Sequence, residues 1–314
     1  MRPDRRGFLE ALVGDGRALI SLSGLCLVMA GGFVIFQAST GHFLPHDIAF
    51  LKMLPQELCG INECRIVHFM IHDRISFGGA IFAIGVMYLW LAEFPLKEGA
   101  GWAWWTLLAS GVTGFGSFLT YLGYGYLDLW HGIATLLLLP CFIAGLWKTR
   151  RLVIMRDPTT QSEGNRLSPG VCCLLAATCG MIGGGMTIQW IGMTSVFVTT
   201  DLEFMGLSRE TLDSINPRLV PLIAHDRAGF GGAVATAGLL TLASVWFGGM
   251  TRSLRQALLI GGVVGWGTAI FVHPAIGYTD PYHLAPAVGG GILFLTGLLL
   301  TLKSRSRATD DSGE

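Results

Sequence analysis

Long apolar stretches separated by short polar segments run from residue 18 to residue 302. A helix that crosses a bilayer needs about 20 mainly apolar residues, and eight stretches approach or exceed that length. They are residues 18–37, 70–93, 103–122, 130–147, 170–198, 222–247, 256–273 and 284–302. The apolar positions are continuous rather than alternating, which excludes a closed barrel of strands. The pattern predicts an all-α integral membrane protein with eight transmembrane helices.

The second half of the chain repeats polar patterns of the first half. Residues 72–80, HDRISFGGA, match residues 225–233, HDRAGFGGA, and residues 125–131, GYLDLWH, match residues 277–283, GYTDPYH. We therefore predict two tandem four-helix bundles, which share one membrane orientation because each contains an even number of helices. The predicted units are residues 1–147, a cytoplasmic linker at 148–169, the second repeat at 170–303 and a cytoplasmic tail at 304–314.

Composition and charge support a membrane protein and place its termini. Only 13% of the residues are Asp, Glu, Lys or Arg, against about 25% in an ordinary soluble domain. The 21 basic residues are balanced by 21 acidic ones, so no basic excess is present to bind nucleic acid. Lys and Arg concentrate at the N-terminus and in residues 97, 148–156, 252–255 and 303–307. The positive-inside rule then predicts a cell inner (plasma) membrane protein with both termini in the cytoplasm.

Each half carries two histidines at the predicted outer ends of its second and fourth helices. His72 is followed by His131 after 59 residues, and His225 is followed by His283 after 58 residues. Two neutral imidazoles that face each other across a four-helix bundle are typical axial ligands of a low-spin b-type haem. The four histidines are therefore candidate metal ligands for one or two haem b groups.

Two further repeated features fit a haem pocket. The glycine pairs at 78–79 and 231–232 follow the first histidine of each pair by about two turns and would let a macrocycle approach the backbone. Arg74 and Arg227 are candidates for binding the haem propionates, although each lies roughly 200° around its helix from the preceding histidine.

Other interpretations of these polar residues remain open. Asp128 with His131 could form a non-haem metal site, or the repeated segments could form a structural Arg–Asp latch between the second and fourth helices. His68 is a candidate for proton transfer or catalysis, with a loop contact as the plainer alternative. His273 precedes a proline and is interpreted as a helix-end feature.

The eight helices, the two repeats and the four placed histidines together resemble the haem A synthase family. The resemblance covers roughly residues 15–303 as architecture. It implies a haem-dependent oxidoreductase in which His72 and His131 flank the reactive site. It also implies that His225 and His283 hold a haem b cofactor.

Cys59 and Cys64 lie in the first outer loop, where the same family has a cysteine pair that can form a disulfide. Their spacing also permits a redox-active pair that exchanges with a partner thiol. A second function class is therefore a thiol–quinone oxidoreductase, with a quinone bound in the helix bundle. A third is a non-catalytic subunit of a larger membrane complex. Beyond the lipid bilayer, a membrane redox partner is expected.

Overall fold

The computed structural model describes residues 7–119, 126, 129–154 and 167–310. All regular secondary structure in those ranges is α-helical. The helices are α1 (Phe8–Val13), α2 (Arg17–Ser39), α3 (Pro45–Leu51), α4 (Pro55–Asn62), α5 (Arg65–Glu93), α6 (Gly101–Leu119), α7 (Leu129–Ile154), α8 (Pro169–Met193), α9 (Thr199–Met205), α10 (Arg209–Ile215), α11 (Leu219–Gly248), α12 (Arg252–Ile276) and α13 (Pro281–Asp310).

Seven of the described helices are long and apolar enough to cross a membrane, namely α2, α5, α7, α8, α11, α12 and α13. The chain is therefore an all-α, multi-pass membrane protein. The remaining predicted span, residues 103–122, corresponds to α6, which has 19 residues. Residues 120–125 of that stretch lie outside the described ranges.

Helices α5 and α11 form the centre of the bundle. They contact each other, and each also packs against helices from both halves of the sequence: α5 against α2 and α12, and α11 against α8 and α6. The surrounding helices expose large apolar side chains, as a lipid environment requires. Examples are Phe36, Leu136, Trp190 and Phe271, all more than two thirds exposed. The two halves therefore interlock around a central pair.

Small residues allow α2 and α5 to approach closely. A methyl group at Gly31 would lie 2.6 Å from the carbonyl oxygen of Gly78 and 2.6 Å from the amide nitrogen of Phe82. Glycine pairs of this kind are common where membrane helices touch. The second glycines, at 79 and 232, similarly face α12 and α6, and Gly231 faces α8. The prediction that these glycine pairs line a macrocycle is wrong, because neighbouring helices occupy that space.

The α2–α5 contact yields a test with a control on the next residue. We expect Gly31→Ala to lower the free energy of unfolding by about 1–3 kcal/mol, because backbone atoms must move to accept the methyl group. Gly32→Ala should be neutral or slightly stabilising, since a methyl group there meets no atom within 4 Å. Thermal unfolding of both variants in detergent would measure the difference, and equal stabilities would contradict the packing.

The short helices α3, α4, α9 and α10 cover the end of the bundle at which α5 and α11 begin, which we call the cap end. Two amides join the halves here. Asn62 Nδ2 donates to the carbonyl oxygen of Met205 at 2.9 Å, and Asn216 Nδ2 donates to that of Leu51 at 2.8 Å. The cap helices of each half are thus bonded to the cap helices of the other half.

Candidate metal centre

The two HDR segments lie side by side near the cap end, because α5 and α11 are central neighbours. Arg74 Nε donates to Asp226 Oδ2 at 2.7 Å, and Arg227 Nε donates to Asp73 Oδ2 at 3.3 Å. The Arg of each half therefore pairs with the Asp of the other. The predicted Arg–Asp latch exists, but it joins the second and sixth predicted spans rather than the second and fourth.

Each guanidinium also pairs with a carboxylate from the cap. Arg74 contacts Asp47 at 2.7 Å, and Arg227 forms a short ion pair with Asp201. Both arginines thus face two carboxylates apiece, and neither has a positive charge left for an anionic ligand. The predicted role of Arg74 and Arg227 in binding propionates is therefore not supported by their surroundings.

Three imidazoles converge beside the Arg227 network. His72 from α5, His273 from α12 and His283 from α13 each offer a ring nitrogen within 4.8 Å of the other two. The Nε2 atoms of His72 and His273 are 3.0 Å apart. His72 and His273 are each 3% exposed, so the cluster is almost closed to solvent on two sides. His283 is half-buried and forms its more open side.

The outer nitrogens of two of these rings are hydrogen-bonded. His72 Nδ1 lies 2.9 Å from Asp73 Oδ1, and His283 Nδ1 lies 2.9 Å from the hydroxyl of Tyr278. That hydroxyl also donates to Asp201 Oδ1 at 2.9 Å. Burial and the nearby Asp201 charge raise the pKa of Tyr278 above its ordinary value, so the phenol keeps its proton. Acidic partners on ligating imidazoles are typical of metal sites.

A similar arrangement surrounds the other HDR segment. Tyr126 donates to Asp47 Oδ1 at 3.0 Å, and His225 Nδ1 lies 3.1 Å from Asp226 Oδ1. The rings of Tyr126 and His225 are in edge contact, with centroids 4.9 Å apart. The side chain of His131, and the whole of Asp128, lie outside the described part of the chain. The predictions for those two residues therefore remain predictions.

The structure brings together a different set of histidines from the predicted pairs. His283 contacts His72 from the other half, with ring centroids 5.5 Å apart, whereas the sequence paired it with His225. His273 was interpreted from the sequence as a helix-end feature and not as a ligand, because it precedes a proline. The order of the helices could have indicated this cluster. Helix α12 ends at the same end of the bundle at which α5 and α13 begin, so the three histidines lie at a similar depth in the membrane.

The remaining predicted residues lie around this cluster. His68 is half-buried one turn before His72, and among the described residues it is not part of the three-imidazole group. Asp280 caps the start of α13, because its carboxylate accepts a hydrogen bond from the backbone amide of His283 at 2.8 Å. The predicted disulfide between Cys59 and Cys64 is confirmed, and it connects α4 to the N-cap residue of α5.

The sequence matches no protein-family model, and no curated protein or solved structure resembles it closely enough to count as a match. The function is therefore inferred from the residues of the site and their geometry.

Proposed function

We propose that this chain is a membrane redox protein with a transition-metal centre held by His72, His273 and His283. The observation that carries the proposal is the convergence of three imidazoles from three helices, two of them buried and one half-buried. Imidazole nitrogens favour iron, copper, nickel and zinc. Three protein ligands leave a fourth position for water or substrate, as in catalytic metal sites. The redox assignment draws on the resemblance to haem A synthases.

The spacing of the rings fits a single ion. With metal–nitrogen bonds of about 2.1 Å, tetrahedral geometry puts the centroids of imidazole ligands about 5.2 Å apart. The centroid distances are 5.5 Å for His72–His283, 5.3 Å for His273–His283 and 4.4 Å for His72–His273. Two of the three distances already match, and the third needs an expansion of less than about 1 Å.

The charge balance beside the cluster also favours a cation. Arg227 pairs with both Asp73 and Asp201, so this network has a net charge of −1 when all three groups are ionised. A buried charge without compensation is costly. A metal ion between the imidazoles would supply the compensating positive charge within a few ångströms.

A haem is the second candidate, and the position of His72 against His283 favours it. Both histidines come from predicted ligand positions, and they face each other across the two halves. Axial nitrogens of a bis-His haem are about 4 Å apart on opposite sides of the iron. The 3.0 Å contact between His72 and His273 would have to open for a macrocycle to enter. The catalytic roles suggested for His68 and His131 belong to this candidate.

We further propose the finer topology predicted from the sequence. The α6 helix would complete eight spans in two repeats, and the interlocked contacts of α5 and α11 are what a duplicated unit would produce. Lys and Arg concentrate at the end opposite the cap, which favours a cytoplasmic location for that end and for both termini. A disulfide at the cap end is consistent with an oxidising compartment outside an inner membrane.

One experiment tests the ion against the haem. The protein is purified from membranes of cells supplied with iron, copper and a haem precursor. Metals are then measured by mass spectrometry and haem by the pyridine haemochrome assay. We expect about one iron or copper per chain with less than about 0.1 haem. Stoichiometric haem would support the second candidate instead. Protein lacking both, and unable to take up either on titration, would overturn the proposed function.

A further inference from the structure

We propose that Asp73, Asp201 and Tyr278, joined through Arg227, act as positioning residues that preset two imidazoles for a cation. They fix His72 and His283 in the tautomer that carries its proton on Nδ1. The Nε2 lone pairs of both rings are then directed into the same cluster. This inference rests on the proposed metal centre and explains how the metal-free protein keeps that centre ready.

The tautomer of His72 follows from its partner. Asp73 also pairs with Arg227, which keeps its carboxylate ionised, and an ionised carboxylate can only accept hydrogen bonds. His72 must therefore donate from Nδ1 across the 2.9 Å contact. A neutral imidazole carries one proton, so its Nε2 presents a lone pair toward His273.

The tautomer of His283 follows from a chain of two hydrogen bonds. The Tyr278 hydroxyl lies 3.0 Å from Thr200 Oγ1 and 2.9 Å from Asp201 Oδ1. Thr200 can donate its own proton to the phenol oxygen, whereas the carboxylate of Asp201, paired with Arg227, can only accept, so the single proton of Tyr278 goes to Asp201. The phenol oxygen then accepts from His283 Nδ1 at 2.9 Å. The Nε2 of His283 is left with a lone pair, as in the first ring.

Arg227 joins the two hydrogen-bond networks, because its guanidinium bonds to the carboxylates of both Asp73 and Asp201. His273 differs from the other two rings, because among the described residues no side-chain carboxylate or hydroxyl bonds its Nδ1. In the metal-free protein its Nε2 proton can be donated to His72. A metal ion bound at that Nε2 needs its lone pair, so the ring proton of His273 moves to Nδ1. The ring stays neutral, no proton is released, and the other two tautomers are unchanged.

The test uses Co²⁺ as the probe, because its visible absorption reports tetrahedral coordination. Tyr278→Phe removes only the hydroxyl that accepts from His283, and we expect it to raise the Co²⁺ dissociation constant 10- to 100-fold. Tyr126→Phe is the matched control. It removes an equivalent tyrosine–aspartate bond, to Asp47, away from the cluster, and it should change the constant less than about twofold.

Histidine-selective ¹⁵N NMR of the metal-free wild type provides a second readout, which does not depend on metal affinity. We expect Nδ1–H signals for His72 and His283, assigned by single His→Gln substitutions. Nε2–H signals for either ring would overturn the inference, as would unchanged Co²⁺ affinity in Tyr278→Phe. A wild type that binds neither Co²⁺ nor any other tested metal would instead overturn the proposed metal centre, whichever tautomers are found.

Discussion

Replacing His273 by Ala is expected to weaken metal binding by about 100- to 1,000-fold. Structural four-ligand sites bind with about 10–16 kcal/mol, so one ligand accounts for about 2.5–4 kcal/mol. His273 is the most informative residue to replace, because it belongs to the three-imidazole cluster of the proposed ion site but was not among the predicted haem ligands. Titration of purified, metal-stripped protein with Co²⁺ would give the ratio of dissociation constants.

The control for this variant is His68→Ala. His68 lies on α5 one turn before His72 and outside the three-imidazole group of the described residues, so its loss should leave metal affinity within about twofold. If His273→Ala keeps full affinity, the three-ligand centre is wrong. If His273→Ala instead retains stoichiometric haem that His72→Ala and His283→Ala both lose, the haem candidate is correct.

The membrane helices could be predicted from the sequence because their signal is local. Apolar runs of span length are recognisable without tertiary information, and the long helices lie where the runs predicted them. Packing partners are not local. The sequence suggested that each repeat forms its own bundle, whereas α5 and α11 each take neighbours from both halves. Nothing in the order of the helices distinguishes these arrangements, since both satisfy the same hydropathy pattern.

The types of residue in the candidate site could be predicted from the sequence, but which of them contact each other could not. The repeated HDR segments correctly indicated a polar centre, and His72 and His283 both belong to it. Their pairing was missed because it depends on which halves interlock. Tyr126 was not predicted as a site residue, yet it is buried and bonded to Asp47. Its role becomes visible only when α3 is placed over α5.

The second large effect is expected from the central ion pairs. Arg227→Met should lower the free energy of unfolding by at least about 3–5 kcal/mol, the usual cost of leaving a buried ionic partner uncompensated. The loss should reach the upper end because two carboxylates, Asp73 and Asp201, would lose their cation together. Arg74→Met should cost a comparable amount, since Arg74 also pairs with two carboxylates.

Thermal and denaturant unfolding in detergent would measure these losses, with Arg17→Met as the surface reference. Arg17 pairs with Asp15 and Glu93 at the exposed start of α2, and such pairs contribute about 0.2–1 kcal/mol. Losses below about 1 kcal/mol for both central variants would show that their charges are not buried in the membrane-bound protein. The two central variants should differ in metal binding alone. Arg227→Met should weaken Co²⁺ binding because Arg227 holds the carboxylates that orient His72 and His283, whereas Arg74 contacts the partner of His225.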